Sequence, residues 1–502
     1  MYSEDHKQWN NMMSGADIRC DAELITDEFA ERIGYAFANW LAERYFTTPD
    51  QLKIAVGRDS RVSGLRIKSA LIRGITAADS DVLDCDLCTT PAMFITTVTP
   101  ATLSHGAVMV TASHYGERQN GFKWILRDGS VTEEDVRELI RRASQNAVPD
   151  RLVTRIPFLD IYADALRDMV RKRLEDDALK PLLGLRVVVD AANGAGGFYQ
   201  QLLESLGADT EGSFHLEPSG CFFDQEPNPE RPDALLALSQ AVVENEADLG
   251  VMFDPDCDRA AIVDQNGRVI HRNRLIALVA AILLEEHPGA SFVTDSVTSS
   301  GLTQFITEWG GTHYRYKRGH RNVINEAIRL NDEGIDCPLA IETSGHAAFR
   351  ENYFQDDGVY LVTRLICEAF NRKREGQTLS SLIDELNEPV ESVELRMHLT
   401  GENPDDSSWD VIQAVLSHTL EHHEWRIAPD NREGVRILFN LDEGIDNAWF
   451  MLRKSIHDPV MSLNAESDVP NGVRRILNEL LHLLETQEAL EIDLEPLRKQ
   501  LS

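Results

Sequence analysis

The chain has 502 residues, 42% of them apolar, and its 49 basic and 83 acidic residues give a formal net charge of −34. This acidity argues against nucleic-acid binding, because phosphate backbones are bound by basic surfaces. No apolar run is long enough to cross a membrane, and the N-terminal sequence MYSEDHKQWNN lacks the pattern of a secretory signal.

The seven cysteines are odd in number and scattered over a large chain, which predicts reduced thiols and a cytoplasmic location. Cys85 and Cys88 form a CxxC pair. We interpret them as two small core residues near a strand end, with a redox or zinc site as the alternative. The length predicts about three to five domains.

In chain order, the apolar patterns alternate between strand and helix. They predict a strand at Ile54–Gly57, a helix at Gly64–Ala77, strands at Ala107–Thr111 and Leu185–Asp190, helices at Phe198–Leu206 and Val269–His287, strands at Ser291–Asp295, Val435–Asn440 and Ala448–Leu452, and a helix at Val473–Leu484. Strands that alternate with helices of this length predict mixed or parallel sheets covered by helices. The last segment predicts an α+β domain, followed by a charged helical tail over residues 486–502.

Ser113 lies two residues after the strand predicted at Ala107–Thr111, in the sequence Ala112-Ser113-His114. A serine at the tip of a strand is exposed and can carry a covalent group. His114 and Lys123, which follows an Asn-Gly turn signal, can supply hydrogen-bond donors or move protons. A chance arrangement in a loop is the alternative for the Ser-His pair alone.

Three carboxylates alternate along the loop Asp254–Arg259, after an apolar strand-like run. Carboxylate oxygens that converge on a tight loop suit Mg²⁺, a hard cation that is usually shared with a phosphate. A solvated acidic turn is the alternative. The spacing differs from that of a calcium EF-hand loop, which has glycine at its sixth position and glutamate at its twelfth.

These motifs resemble the α-D-phosphohexomutase family, the phosphoglucomutases and phosphomannomutases. Thr111–His114 resembles its serine loop, Asp254–Arg259 its metal loop and Glu342–His346 its sugar loop, in the family's order. Further segments extend the resemblance over roughly residues 14–480, namely Val56–Arg61, Val187–Gly197, Gly319–Arg321 and Asp356–Gly358.

The resemblance implies an α/β fold of four domains around a central cleft, with three αβ-sandwich domains on mixed sheets and a C-terminal α+β domain. We expect the phosphoserine loop in residues 1–153, the metal loop in 154–266, the sugar loop in 267–375 and a phosphate-binding domain in 376–485, before the tail. The N-terminal segment with Arg19 matches the family loosely.

The implied activity is the interconversion of hexose 1-phosphate and hexose 6-phosphate through a phosphoserine and a bisphosphorylated sugar. The implied catalytic residues are Ser113, Lys123, His114 and Arg19. One Mg²⁺ per chain would be held by Ser113, Asp254, Asp256 and Asp258, with a hexose 1,6-bisphosphate as activator. The implied substrate-binding residues are Arg259, His320, Glu342, Ser344, Arg453, Ser455 and His457.

The chain also departs from the family's motifs. Pro255 and Cys257 replace the two glycines of the metal loop, and Tyr115-Gly116 replaces an Asn-Pro after the serine loop. The C-terminal loop, Arg453–Ser462, keeps Arg453 and a serine but lacks the family's glycine and threonine. Lys454 and His457 are candidates to replace these phosphate contacts.

Phosphoglucomutase or phosphomannomutase activity is favoured over phosphoglucosamine mutase activity. A sugar-phosphate-binding or regulatory protein without catalysis, on the same fold, is the second class. The expected partner is a phosphosugar, without nucleic acid or membrane, and the expected assembly is a monomer or homodimer.

Overall fold

The computed structural model describes residues 4–128, 131–144, 154–222, 226–455, 458–487 and 489–502. The chain divides into two compact units. The first contains Met1–His271, Ser344–Ala347 and Gln355–Ser381, and the second contains Arg272–Thr343, Ala348–Phe354 and Leu382–Ser502. None of the helices in the described part of the chain is both long enough and apolar enough to span a membrane.

A seven-stranded mixed sheet begins the first unit. Its elements are α1 (Glu4–Asn10), β1 (Met13–Ser14), β2 (Asp17–Asp21), α2 (Asp27–Arg44), β3 (Lys53–Arg58), α3 (Gly64–Ala77), β4 (Asp81–Leu87), α4 (Thr90–Ile95), β5 (Gly106–Val110), β6 (Gln119–Ile125), α5 (Glu133–Ala143) and β7 (Thr154–Arg155). The strand order is β1-β2-β6-β5-β3-β4-β7, with β3 parallel to β4 and β5. β6 is antiparallel to both β5 and β2.

A four-stranded mixed sheet follows in the same unit. Its elements are α6 (Phe158–Leu174), β8 (Val187–Asp190), α7 (Phe198–Ser205), α8 (Pro232–Glu244), β9 (Leu249–Phe253), β10 (Ala260–Asp264) and β11 (Val269–Ile270). The order is β11-β10-β9-β8, with β8 and β9 parallel and β9 and β10 antiparallel. Because Phe253 pairs with Ala260, the three aspartates lie in the turn of the β9–β10 hairpin.

The third set of elements is α9 (Asn273–Glu286), β12 (Ser291–Thr294), α10 (Ser300–Glu308), β13 (Thr312–Arg315), α11 (His320–Asp332), β14 (Leu339–Ile341), β15 (Ala347–Phe349), β16 (Gln355–Asp356) and α12 (Gly358–Arg374). In the second unit, β12 is parallel to β13 and β14. In the first unit, α12 packs against α6. Short 3₁₀ turns lie at Pro49–Gln51, Ala195–Gly197, Arg350–Asn352 and Leu379–Ile383.

An antiparallel sheet with two long helices completes the second unit. Its elements are β17 (Glu391–His398), α13 (Pro404–Glu421), β18 (Arg426–Ile427), β19 (Val435–Phe439), β20 (Ala448–Lys454), β21 (Val460–Ser467), α14 (Gly472–Thr486) and α15 (Glu495–Leu501). The strand order is β17-β21-β20-β19-β18. Arg436 of β19 joins this sheet to the preceding one, because its NH1 donates to the carbonyls of Ser296 and Thr298 at 3.0 Å each.

The predicted α/β class, with mixed sheets and a further C-terminal α+β domain, is confirmed. The helix predicted at Val269–His287 is wrong over its first residues, because Val269–Ile270 pairs with β10 and the helix begins at Asn273. Gly267, with φ 75°, closes a tight turn that folds this short strand back onto β10. The predicted domain boundaries stay a prediction.

The tail after residue 486 contributes to the core of the C-terminal sheet. Leu497 and Leu501 of α15 are buried in one cluster with Leu463 of β21 and Leu480 of α14. Ile492 also forms a bridge to the residue that follows β17. The charged pattern of the tail concealed this packing, since the apolar residues that face the core are few.

Replacing Leu497 by alanine should lower the free energy of unfolding of the second unit by about 2–5 kcal/mol, because it removes a fully buried side chain. Lys499→Ala, on the exposed side of the same helix, is the matched control and should change it by less than about 0.5 kcal/mol. Urea unfolding followed by tryptophan fluorescence measures both. Equal stabilities would show that α15 is not part of this core.

Candidate active site

The loop that carries Ser113 is held by one buried arginine. Ser113 follows β5 and has a φ of 54°, in the left-handed region. The Arg61 side chain is fully buried and donates to the carbonyl oxygens of Ser113, Tyr115 (2.7 Å), Gly116 (2.6 Å) and Gln119 (3.0 Å). A planar guanidinium with five donors can satisfy several carbonyls of one turn, which is why the loop closes around it.

A chain of hydrogen bonds behind Arg61 fixes the serine itself. Arg61 Nε donates to Asp59 Oδ2 at 2.9 Å, and Thr111 Oγ1 donates to the same oxygen at 2.7 Å. The backbone N–H of Ser113 then donates to Thr111 Oγ1 at 2.8 Å. A strained backbone conformation persists when the surrounding contacts hold it in place. This network therefore explains how Ser113 keeps its left-handed conformation.

The Ser113 hydroxyl meets three polar side chains. Its Oγ donates to Asp254 Oδ2 at 3.1 Å and accepts from Arg259 NH2 at 3.1 Å. The His114 Nδ1 lies 3.4 Å away and accepts a short hydrogen bond from Arg259. Burial, together with the positive charges of Arg259 and Arg19, lowers the pKa of His114, which is therefore neutral.

The three carboxylates of the metal loop are buried and share one small space. One oxygen from each of Asp254, Asp256 and Asp258 lies within 4.8 Å of the others. Burial and the neighbouring Asp258 and Asp256 raise the pKa of Asp254 well above its usual value. Oδ1 of both Asp256 and Asp258 is buried and accepts no hydrogen bond from the described residues. Three oxygens of this kind suit a divalent cation such as Mg²⁺.

Two basic side chains from the first sheet enter the same space. Arg19 of β2 lies opposite Gly121 of β6, so Lys123, two residues on, projects on the same face. Lys123 Nζ donates to Asp256 Oδ2 at 2.7 Å and to Asp258 Oδ2 at 2.5 Å. Burial would lower the pKa of Lys123, but Asp256 and Asp258 raise it above its usual value, so the amine is charged.

Backbone contacts hold the metal loop where the family's glycines are replaced. The carbonyl of Pro255 accepts the N–H of Ala195 at 2.8 Å, beside Gly194. Cys257 has a φ of 62°, so this position needs the left-handed region, at a cost of about 1–2 kcal/mol for a residue with a side chain. Proline cannot adopt positive φ, so the loop of this chain does not use the left-handed region at Pro255.

Thr90, the first residue of α4, contacts the middle of the loop. Its N–H donates to the carbonyl of Asp256 at 2.9 Å, and its Oγ1 donates to Asp256 Oδ2 at 2.7 Å. Burial raises the pKa of the Cys257 thiol well above its usual value, with the nearby carboxylates adding to the shift. The thiol is therefore protonated and a poor ligand for a hard cation.

Part of the predicted sugar loop lies with these residues in the first unit. Ser344 Oγ shares a hydrogen bond of 2.8 Å with His346 Nδ1. His346 Nε2 lies 3.7 Å from Asp258 Oδ1, and the backbone of His346 forms a bridge with Arg259. Thus the structure brings Ser344 to the edge of the metal loop through His346.

The other predicted substrate residues belong to the second unit. Glu342 follows β14, and its Oε1 accepts the N–H of Gly319 at 2.6 Å. Gly319 has a φ of 111° and precedes His320, the first residue of α11. Glu342 therefore stabilises the turn that directly precedes His320.

Arg453 is a buried arginine near the end of β20. Its Nε donates no hydrogen bond to the described residues, and its NH1 donates to the Lys454 carbonyl at a long 3.4 Å. Burial and the charge of Arg318 lower the pKa of Arg453. Glu433 accepts the backbone N–H of Arg318 at 3.1 Å, which anchors that loop beside this edge of the sheet. The guanidinium of Arg453 thus experiences the positive charge of Arg318 together with the negative charges of Glu433 and Asp295.

The rest of the rewritten C-terminal loop is committed to local contacts. Ser455 Oγ accepts the N–H of Asp458 at 3.3 Å, while Lys454 forms a short ion pair with Asp405. His457 lies outside the described residues.

Comparison with known proteins agrees with this geometry. The family model described as phosphoglucomutase/phosphomannomutase, alpha/beta/alpha domain I, matches residues 11–149, and the models of domains II and III match residues 160–267 and 271–390. The chain belongs to the α-D-phosphohexomutase family. Phosphohexomutases depend on Mg²⁺, and the buried carboxylate cluster of this chain is able to bind such an ion.

Relatives match along most of the chain. A phosphomannomutase/phosphoglucomutase of Pseudomonas putida is 30% identical over 84% of this chain and 85% of that protein. A phosphoglucomutase of Neisseria gonorrhoeae is 29% identical over 93% of this chain and 95% of that protein. The crystal structure of a phosphoglucomutase/phosphomannomutase family protein from Burkholderia thailandensis, 24% identical, superposes with a TM-score of 0.79 over 98% of this chain and 100% of that one.

Several residues beside this phosphohexomutase site had not been predicted to act in it. The side chain of Arg61 holds the serine loop through carbonyl oxygens more than fifty positions away in sequence. Thr90 is the first residue of a short helix with no motif of its own. His346 belongs to the recognised sugar-loop motif, which was the available signal for its contact with Asp258.

Replacing Gly194 by alanine should disturb the metal loop. A Cβ at this position would lie 2.4 Å from Pro255 Cα, so the two loops must separate, which costs about 1–3 kcal/mol. We expect a lower unfolding free energy and weaker Mg²⁺ binding, measured by calorimetric titration. Gly64→Ala is the control, because its nearest neighbour would be a side-chain atom at 3.4 Å. Unchanged Mg²⁺ affinity in the first variant would contradict this account.

Proposed function

We propose that this chain is a phosphohexomutase that interconverts hexose 1-phosphates and hexose 6-phosphates, with phosphoglucomutase or phosphomannomutase activity favoured. The observation that carries the proposal is the contact of the Ser113 hydroxyl with Asp254 and Arg259 beside three converging carboxylates. A serine so placed can carry a phosphoryl group whose charge is met by the arginine and a cation.

The proposed reaction transfers the phosphoryl group from Ser113 to a sugar hydroxyl and then returns the sugar's other phosphate to Ser113. In the first step the bond between phosphorus and the serine oxygen breaks, and a bond to the sugar oxygen forms. Lys123 and His114 are the proposed proton carriers, because they lie among the carboxylates and beside the serine. Arg259 holds phosphoryl oxygens through its fork of donors.

Mg²⁺ is proposed to be held by Ser113, Asp254, Asp256 and Asp258, where it would neutralise charge on the transferring phosphoryl group. Oδ1 of Asp256 and Oδ1 of Asp258, which accept no hydrogen bond from the described residues, support this assignment. Arg19 is proposed to contact the phosphoryl group, and its salt bridge to Asp17 at 3.0 Å supports it by fixing the guanidinium near the loop. Hexose 1,6-bisphosphate is the expected activator.

For the substrate we propose Glu342, His320 and Ser344 as contacts of the sugar, and Arg453 and Ser455 as contacts of the phosphate that is not transferred. The buried Nε of Arg453, which has no hydrogen-bond acceptor among the described residues, supports an anion at that position. A cytoplasmic location and a monomer or homodimer complete the proposal.

Intact mass after incubation with a hexose 1,6-bisphosphate tests the phosphoserine. We expect one added phosphate on the wild-type chain and none on Ser113→Ala, which should also lose mutase activity. Ser60→Ala is the control, since Ser60 is a buried serine of a neighbouring loop whose hydroxyl bonds to none of the described residues. Phosphate that persists on Ser113→Ala would exclude this carrier.

Arg453→Ala should raise KM for a hexose 1-phosphate about tenfold or more, since a charged hydrogen bond is worth about 1.5–3 kcal/mol. The phosphorylation of Ser113 should be less affected. Lys454→Ala is the matched control, because the Lys454 amine is paired with Asp405. Steady-state kinetics measure both, and an unchanged KM for Arg453→Ala would favour the binding or regulatory class over the enzyme.

A further inference from the structure

The start of helix α12 contacts the metal loop through the backbone. The N–H of Gly358 donates to the carbonyl of Cys257 at 3.1 Å. A Cβ on Gly358 would lie 2.6 Å from the backbone carbonyl carbon of Arg259, so the helix begins directly against the loop. Any shift of this helix end would therefore move the residue between two of the metal-loop carboxylates.

Asp357 caps the same helix and is held by a distant tyrosine. Its side chain accepts the N–H of Tyr360 at 2.7 Å, and both of its carboxylate oxygens accept the hydroxyl of Tyr162, each at 2.8 Å. Asp357 is fully buried and Tyr162 of α6 is nearly so. Burial and the Asp357 charge raise the pKa of the Tyr162 phenol well above its usual value, so the phenol remains a donor.

We propose that Tyr162 is a positioning residue for the Mg²⁺ loop, acting through Asp357 and the first amide of α12. Its hydroxyl fixes the carboxylate that caps the helix, and the helix then fixes the carbonyl of Cys257. That the bound ion is Mg²⁺ rests on the proposed function. The hydrogen bonds that connect Tyr162, through Asp357 and Gly358, to the carbonyl of Cys257 do not depend on it.

The link matters in this chain because Cys257 stands in the left-handed region with a side chain attached. A residue in that conformation relaxes unless its neighbours hold it. The hydrogen bond from Gly358 acts on the carbonyl of this strained residue, between Asp256 and Asp258. Groups that orient metal ligands from outside typically change metal affinity by about 10- to 100-fold when they are removed.

Tyr199 offers a matched control on the same helix. It is fully buried, and its hydroxyl shares a hydrogen bond of 2.9 Å with Thr363 Oγ1, further along α12. Tyr199→Phe and Tyr162→Phe each remove one buried hydroxyl that bonds to α12 and leave the ring in place. The two hydroxyls differ in their partners: that of Tyr162 bonds to Asp357, which caps the helix, and that of Tyr199 bonds to Thr363 within the helix.

The experiment measures Mg²⁺ binding to the unphosphorylated full chain by isothermal titration calorimetry, with thermal unfolding in parallel. Tyr162→Phe should raise the Kd for Mg²⁺ about tenfold, and Tyr199→Phe should change it less than about twofold. In kinetics, the Mg²⁺ concentration for half-maximal rate should rise in Tyr162→Phe, while kcat at saturating Mg²⁺ stays near that of the wild type.

Asp357→Ser tests the route, because serine keeps a helix cap but is too short to reach Tyr162. In that background, Tyr162→Phe should not weaken Mg²⁺ binding further, as expected for residues that act as one unit. Equal Kd values for wild type and Tyr162→Phe, or equal losses in Tyr162→Phe and Tyr199→Phe, would overturn the proposal. The titration does not need turnover, so these results stay distinct from a failure of the proposed mutase activity.

Discussion

Three buried carboxylates in one hairpin turn are the constraint that the rest of the first unit must satisfy. Two like charges about 4 Å apart repel by about 4 kcal/mol at the effective dielectric of a protein site. The summed repulsion of three such pairs approaches the free energy of unfolding of a whole domain, which is about 5–15 kcal/mol. Lys123 and Arg259 offset this repulsion through the contacts described above, and Arg19 adds a third positive charge. In a chain of net charge −34, such local cations also provide the positive field that a phosphosugar needs.

The backbone around this turn is held from several elements at once, and this explains how unusual residues are tolerated. Thr90 holds the carbonyl of Asp256, Ala195 holds that of Pro255, and Gly358 holds that of Cys257. Each contact uses a peptide group of the loop and is therefore indifferent to the side chain at that position. The path of the loop is thus fixed by backbone contacts with its neighbours, so proline and cysteine can occupy positions where the family has glycine.

The sequence predicted the site residues that follow the ends of strands. It did not predict the residues whose side chains hold those loops in place. Ser113 and the aspartates follow short apolar runs, and a strand end followed by a polar motif is visible in any window of ten residues. Tyr162 and Arg61 act across long stretches of chain, and although Asp59 lies two residues before Arg61, nothing nearby in sequence indicates the carbonyls of the serine loop or the distant Asp357. The helix predicted at Val269–His287 began too early, because the polar residues 271–274 separate a two-residue strand from the apolar part of the helix and mark the break between them.

The two departures from the family's motifs have different physical consequences. In the metal loop, the replaced residues contribute peptide groups, and the surrounding hydrogen bonds preserve those groups whatever the side chain is. In the loop after β20, the family's glycine and threonine are absent, and Lys454 forms an ion pair with Asp405. Arg453, by contrast, is buried, and its Nε donates no hydrogen bond to the described residues. An arginine recognises phosphate as a planar fork and tolerates variation in what the phosphate is attached to. The proposed contact of Arg453 with phosphate is therefore where this chain's substrate preference can differ from that of its relatives.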